Sequence, residues 1–161
     1  MKQIFIFRKA HAAVILLCCL MAFSSAMAQQ MPRRNVLRET NNEFFKTEEA
    51  RRIGNQVLAF QRCTGGWPKN IDMTQKMSNE ELAQILKEKS RRDDSTIDNN
   101  ATTMQMIYLA RLYRQTKDVR YRDAFRLAVE YLLSGQYENG GWPQFWPEMR
   151  GYQLHITFND D

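Results

Sequence analysis

The sequence predicts an all-α protein, and three observations carry that prediction. Four stretches place apolar residues at the three- and four-residue spacing of a helix. Two of those stretches end in the same turn unit, Gln-x-x-x-Gly-Gly-Trp-Pro. No stretch reads as a convincing strand, and the best candidate, residues 153–158, is short. With 161 residues, 25% of them charged and 43% hydrophobic, the chain has the size and composition of one ordinary globular domain.

The elements follow in order. Residues 29–46 are polar and irregular and read as a lead-in. Thr47 then caps a helix whose first turn carries Glu48 and Glu49, acids that suit the positive end of the helix dipole. Ala50, Ile53, Val57 and Phe60 form its apolar face, and Thr64-Gly65-Gly66 stops it. Ser78-Asn79-Glu80-Glu81 is a capping box, with Leu82, Ile85 and Leu86 on the apolar side of the short helix that follows. Residues 88–95 are a charged connection. Residues 101–113 are apolar nearly all round, which predicts a helix buried on most sides. Over residues 123–134 the polar positions Asp123, Arg126, Glu130 and Ser134 form one narrow stripe, so that helix shows one edge to water. Thr116-Lys117-Asp118-Val119 is a short connection, which makes the last two helices antiparallel neighbours.

The chain contains a repeat. Residues 61–68 and 136–143 share the form Q-x-x-x-G-G-W-P, 75 positions apart. The glycines permit left-handed backbone after a helix, the Trp can fold back on that helix, and the Gln can reach backbone groups around the turn. The unit reads first as a structural device, with Trp67 or Trp142 as a ligand-stacking platform the alternative. A second echo joins Thr96-Ile97-Asp98-Asn99-Asn100 to Thr157-Phe158-Asn159-Asp160-Asp161. The first copy leads into a helix. The second, by analogy, should lead into another, so the chain reads as a piece stopped at a helix cap.

The N-terminus reads as a secretory signal over residues 1–28. Lys2, Arg8 and Lys9 form a positive start, residues 12–23 an apolar run too short to span a bilayer comfortably, and Ala26-Met27-Ala28 a small-x-small cleavage site. The protein is therefore expected to be secreted or periplasmic, with no stable membrane association after cleavage. The formal charge of +5 falls to 20 cations against 18 acids once the signal is gone. That balance is no electrostatic footprint for nucleic acid. Cys18 and Cys19 leave with the signal, so Cys63 has no partner for an intramolecular disulfide. Cys63 and His155 could in principle pair; a structural thiol and a surface imidazole are the simpler reading.

Paired helices closed by Gln-x-x-x-Gly-Gly-Trp turns are similar to those of α/α-toroid proteins, which include terpene cyclases and some polysaccharide lyases. Gly65-Gly66-Trp67-Pro68-Lys69-Asn70, Ser95-Thr96-Ile97-Asp98-Asn99, Ala101-Thr102-Thr103, Asn139-Gly140-Gly141-Trp142-Pro143-Gln144 and Ile156-Thr157-Phe158-Asn159-Asp160-Asp161 together resemble the N-terminal part of the family 10 pectate lyases. The likeness runs from about residue 50 to residue 161. It implies an incomplete α/α toroid of antiparallel helix pairs over residues 47–161. It also implies calcium-dependent cleavage of polygalacturonate (pectate) by β-elimination. That chemistry removes a proton from C5, beside a carboxylate, and a bound Ca²⁺ spreads the resulting charge.

Calcium takes about six to eight hard oxygen ligands. Carried over by motif, the family's two aspartates at this site are Asp98 and Asp160, each just ahead of a predicted inner helix. The resemblance makes both calcium ligands and, with Asn99, substrate-binding residues. From the residues alone, the same two aspartates read as helix caps. Asn100 and Asp161 are further oxygen ligands or further caps. Lys69 could pair with a uronate carboxylate, although a Lys after a turn is usually solvated. The family's catalytic base is an arginine beyond the last motif. Arg111, Arg114 and Arg150 lie in no matching motif, so the base is expected beyond Asp161 and the chain itself is expected to be inactive. Two rival readings remain: a non-catalytic helical module that binds glycans or protein, and a terpene-cyclase-like enzyme. The signal peptide and the Asn-rich caps count against the second.

Overall fold

The computed structural model describes residues 35–156. The signal segment, Asp160 and Asp161 lie outside the described residues. Four α-helices carry the fold: α1 (Glu48–Phe60), α2 (Asn79–Lys87), α3 (Thr103–Thr116) and α4 (Val119–Gly135). Among the described residues there is no strand, only isolated bridges of Trp67 with Thr96, Thr96 with Phe145 and Pro143 with Ile156. Within the strand candidate at 153–158, Gln153 and Leu154 belong to the 3₁₀ turn Gly151–Leu154 and Ile156 makes one bridge; residues 157–158 lie outside the described residues.

Helix starts follow the local signals. Thr47 accepts the Ala50 amide at the head of α1. Ser78 and Glu81 form the reciprocal capping box of α2. Asp118 Oδ1 accepts the Arg120 amide at 3.0 Å to start α4. Lys117, left-handed at φ 59°, ends α3 and turns the chain directly into α4, so the two helices pack as an antiparallel pair.

The core lies between α1, α3 and α4. Ile53, Val57, Tyr108, Leu109, Leu112, Tyr121 and Ala128 are buried in it. The Tyr108 hydroxyl donates to the Ala50 carbonyl at 3.0 Å, and burial pushes its phenol up. Gly54 lets α1 approach: a Cβ there would lie 2.2 Å from Leu112 Cδ2. Ahead of α1, the segment expected to be irregular forms 3₁₀ turns at Val36–Arg38 and Phe44–Lys46 and sinks Leu37 and Phe45 into the same core. The Phe45 ring sits 5.2 Å from that of Tyr108.

Burial follows the expectation on α3 and departs from it on α4. Helix α3 is buried or half-buried along residues 103–113 except at Ile107, which is 47% exposed. Helix α4 shows more than a polar stripe to water, because Leu127 and Leu133 are exposed beside it.

The two repeat units have one internal geometry. Gln61 Nε2 donates to the Gly65 carbonyl at 2.8 Å, and Gln136 Nε2 to that of Gly140 at 3.0 Å. The Arg62 amide donates to the Gly66 carbonyl and the Tyr137 amide to that of Gly141. Trp67 Nε1 donates to the Val57 carbonyl at 2.8 Å, and Trp142 Nε1 to that of Leu132 at 2.7 Å, each ten residues back. The units differ in depth. Trp67 is fully buried and Trp142 only partly. Gly65, at φ 94°, has the Leu127 carbonyl where a Cβ would go, whereas the space at Gly140 is open. Gln61 also reaches the Ala124 carbonyl at 2.9 Å, which ties the first unit to α4.

Two measurements check this reading. Trp67→Ala should lower unfolding stability by about 3–5 kcal/mol, as expected for a fully buried Trp. Trp142→Ala should cost clearly less in the same urea denaturation series. Equal losses would contradict the difference in depth. The Arg120 guanidinium holds the Asp118 carboxyl below its usual range. A depressed pKa stabilises above the unfolded value and is lost as pH falls through the folded one. Asp118→Ala should therefore cost about 1 kcal/mol at neutral pH. Thermal unfolding should show the wild-type advantage shrinking below about pH 4; an advantage that grows with acidity would contradict the assignment.

Candidate functional site

Asp98 sits where the two repeat units meet. The segment Ser95–Thr96 runs between them: the Thr96 amide donates to the Trp67 carbonyl at 3.1 Å, and the Trp146 amide to that of Ser95 at 3.3 Å. The buried Thr96 hydroxyl accepts the Asp98 amide at 3.0 Å and donates to the Gln144 carbonyl. Thr102 closes the back of the corner. Its hydroxyl donates to the Thr96 carbonyl at 2.8 Å and accepts the Trp67 amide at 3.0 Å.

The backbone here is unusual. Asn70, Asn99, Asn100 and Thr102 all have positive φ, between 55° and 65°. Asn tolerates that region, but a β-branched Thr in it is a strained outlier of the kind that clusters at working sites. This run of left-handed residues delays α3, which begins at Thr103 rather than at residue 101. Thr102, without a side-chain capping bond, is its N-cap. Asp98 lies four residues upstream in a 3₁₀ turn (Asp98–Asn100), so capping α3 is not its role.

Asp98 is 6% exposed and its side chain 4%. A charge that deep needs partners. Its Oδ2 meets the Lys69 ammonium and accepts Gln144 Nε2 at 2.7 Å. Lys69 Nζ also lies 5.2 Å from the centroid of the Phe145 ring, a cation–π distance. The solvated Lys69 of the sequence reading is thus corrected to an ion pair with Asp98. Gln144 Oε1 is buried without a hydrogen-bond partner among the described residues. Asn99 is exposed and donates from Nδ2 to Asn70 Oδ1 at 3.0 Å, beside the carboxylate in sequence. Asp160, expected as the second acid, lies outside the described residues.

This donor set is one buried carboxylate with amide oxygens close by. Such hard oxygen groups suit calcium rather than zinc. Among the described residues, no group of three or more His, Cys, Asp and Glu side chains is placed to hold a metal. The residues at the corner fit a calcium ion as part of a larger set.

Other candidates recede. The indole of Trp67 is sealed in the core and offers no stacking face. Cys63 is exposed and free, its Sγ 3.4 Å from the Ser90 carbonyl. Arg111 donates from Nη1 to the Glu39 carbonyl at 2.6 Å. A cavity of about 480 Å³ opens at the far end of α1, lined by Glu48, Arg51, Arg52, Asn55, Asp118 and Arg120 among others. Its three arginines are already paired with Glu48, Glu49 and Asp118. Sequence reasoning missed Gln144 as a site residue. The signal was present: Gln144 and Lys69 occupy the same position after Trp-Pro in the two repeat units.

The family model described as pectic acid lyase matches residues 61–161. A family 10 polysaccharide lyase from Cellvibrio cellulosa is 37% identical, covers 72% of this chain and superposes with a TM-score of 0.58. A mutant of a family 10 polysaccharide lyase from the same organism, in complex with trigalaturonic acid, is 35% identical with the same coverage and TM-score. The match takes up 32% and 33% of those two chains, so this chain spans about a third of their length. No curated protein sequence matches it. The family model spans more than half of the 161 residues, and the chain belongs to the pectic acid lyase family.

Proposed function

We propose that this chain contributes to a calcium-dependent lyase that cleaves polygalacturonate by β-elimination. The observation that carries the reading is the buried Asp98 carboxylate, held by Lys69 and Gln144 at the junction of two turn units. Family membership supports it, as does the lyase structure in complex with trigalaturonic acid.

Each residue then has a task. Asp98 supplies an anionic oxygen to the cation, and Asp160 a second one. When bound, calcium would neutralise the uronate carboxylate and acidify the C5 proton. Asn99, exposed next to Asp98, presents amide groups to a sugar hydroxyl or to the cation. Lys69 sets a positive charge against the buried Asp98 carboxylate and places it where a uronate carboxylate approaches. The proton itself goes to a base that this chain's described residues do not provide in a family motif. On this reading the 161 residues alone give no turnover, and the helices form part of an α/α toroid. Export is proposed as well, with cleavage after Ala28 and release into the periplasm or medium. The rival glycan-binding module predicts binding without elimination by the complete protein; the family match leaves the terpene-cyclase reading without support.

The discriminating assay is ultraviolet absorbance of unsaturated uronides released from polygalacturonate by the complete protein, with and without a chelator. Absorbance should rise only with calcium. Asp98→Ala should cut the rate at least tenfold and raise the calcium requirement while the fold survives, because calcium sites depend on anionic oxygens. No unsaturated product from the complete protein would sink the lyase reading. Stability and activity lost in proportion would make Asp98 structural. For export, mass spectrometry of the secreted protein should find Gln29 at the N-terminus, and intact residues 1–28 in a soluble product would contradict it.

A further inference from the structure

We propose that Gln144 is a positioning residue for Asp98: its side-chain amide, acting with Lys69, fixes the carboxylate in the orientation that receives the cation. The inference rests on the reading of Asp98 as a calcium ligand. It starts from a coincidence in the repeat. Lys69 and Gln144 stand 75 residues apart, each directly after the Trp-Pro of its unit, and both reach the same oxygen, Oδ2 of Asp98. Two copies of one turn thus deliver one cation and one neutral donor to a single atom.

The amide of Gln144 is oriented by the carboxylate. Its Nε2 donates to Asp98, while its Oε1 is buried without a partner among the described residues. Buried polar atoms are nearly always paired, so an unpaired one calls for a reason. Turning the amide over would set an acceptor against an ionised acceptor. The orphaned oxygen is the consequence of holding the carboxylate. The main chains of both residues are tied by one hydroxyl, since Thr96 Oγ1 accepts the Asp98 amide and donates to the Gln144 carbonyl. Lys69 cannot replace this restraint. An ammonium on a flexible stem supplies charge without direction, whereas a planar amide fixes an angle. Carboxylates that bind metals are oriented by such outer partners, and losing one typically lowers metal affinity about 10- to 100-fold.

The experiment uses the complete protein and three readouts: calorimetric titration with calcium alone, the NMR exchange rate of the Gln144 side-chain amide, and the thermal midpoint. Gln144→Met keeps the length of the side chain and removes the donor. It should weaken calcium binding by roughly tenfold while leaving the midpoint within a degree or two. The wild-type Gln144 amide protons should exchange slowly, and Asp98→Ala should abolish that protection. Unchanged calcium affinity in Gln144→Met, alongside a loss in Asp98→Ala, would overturn the proposal. So would tighter binding by Gln144→Glu, which would make residue 144 a direct ligand. A Gln144 amide indifferent to Asp98→Ala would overturn it whatever calcium does. If Asp98→Ala releases the amide yet binds calcium like the wild type, the calcium reading of Asp98 fails and the proposed orientation for a cation fails with it, while the contact stands.

Discussion

A carboxylate that is almost sealed from water has to be given a counter-charge and directed donors, or it does not stay ionised. Asp98 is such a group, and the surrounding fold can be understood as the means of supplying its partners. Lys69 comes from the end of one helix-closing turn and Gln144 from the end of the other. Helices α1 and α4 must therefore end near each other, which their shared packing with α3 arranges. The segment carrying Thr96 and Asp98 lies between the turns and is held by backbone bridges to both. Removing Lys69 would leave a buried charge without its counter-ion, a more expensive fault than losing a surface ion pair.

Rigidity at the corner comes from hydroxyls and left-handed backbone rather than from apolar packing. Thr96 and Thr102 are buried and use their side chains to tie one strand-like segment to the next. Asn99, Asn100 and Thr102 take positive φ in close succession, which turns the chain sharply between Asp98 and α3. A regular helix through these residues would have carried the carboxylate elsewhere. Strain of this kind persists only when the surroundings over-determine it. Here the determinants are the first Trp-Pro turn beneath and the second turn alongside.

Much of this was legible in the sequence. The caps at Thr47 and Ser78 are local signals, and both fall where the sequence puts them. The repeat announced two equal turns, and their Gln and Trp bonds are equal. Depth was not legible. Nothing in Q-x-x-x-G-G-W-P says that Trp67 is sealed in the core while Trp142 is partly open. The start of α3 was placed two residues early because Ala101 and Thr102 look like the first turn of the helix, whereas Ala101 is extended and Thr102 has positive φ. The pairing of Lys69 with Asp98 spans 29 positions and that of Gln144 spans 46, so no local pattern reports either. Only the repeat register joined Lys69 to Gln144, and it had to be read beyond the turn itself.

The account stands on Asp98 as the oxygen that meets the cation. Diffraction from crystals grown with calcium and trigalacturonic acid tests this most directly. The account predicts a cation within about 2.3–2.6 Å of an Asp98 carboxylate oxygen, the normal calcium–oxygen distance. Gln144 should remain on the other carboxylate oxygen or on the same one. A calcium ion bound away from Asp98, with the sugar beside it, would contradict the account.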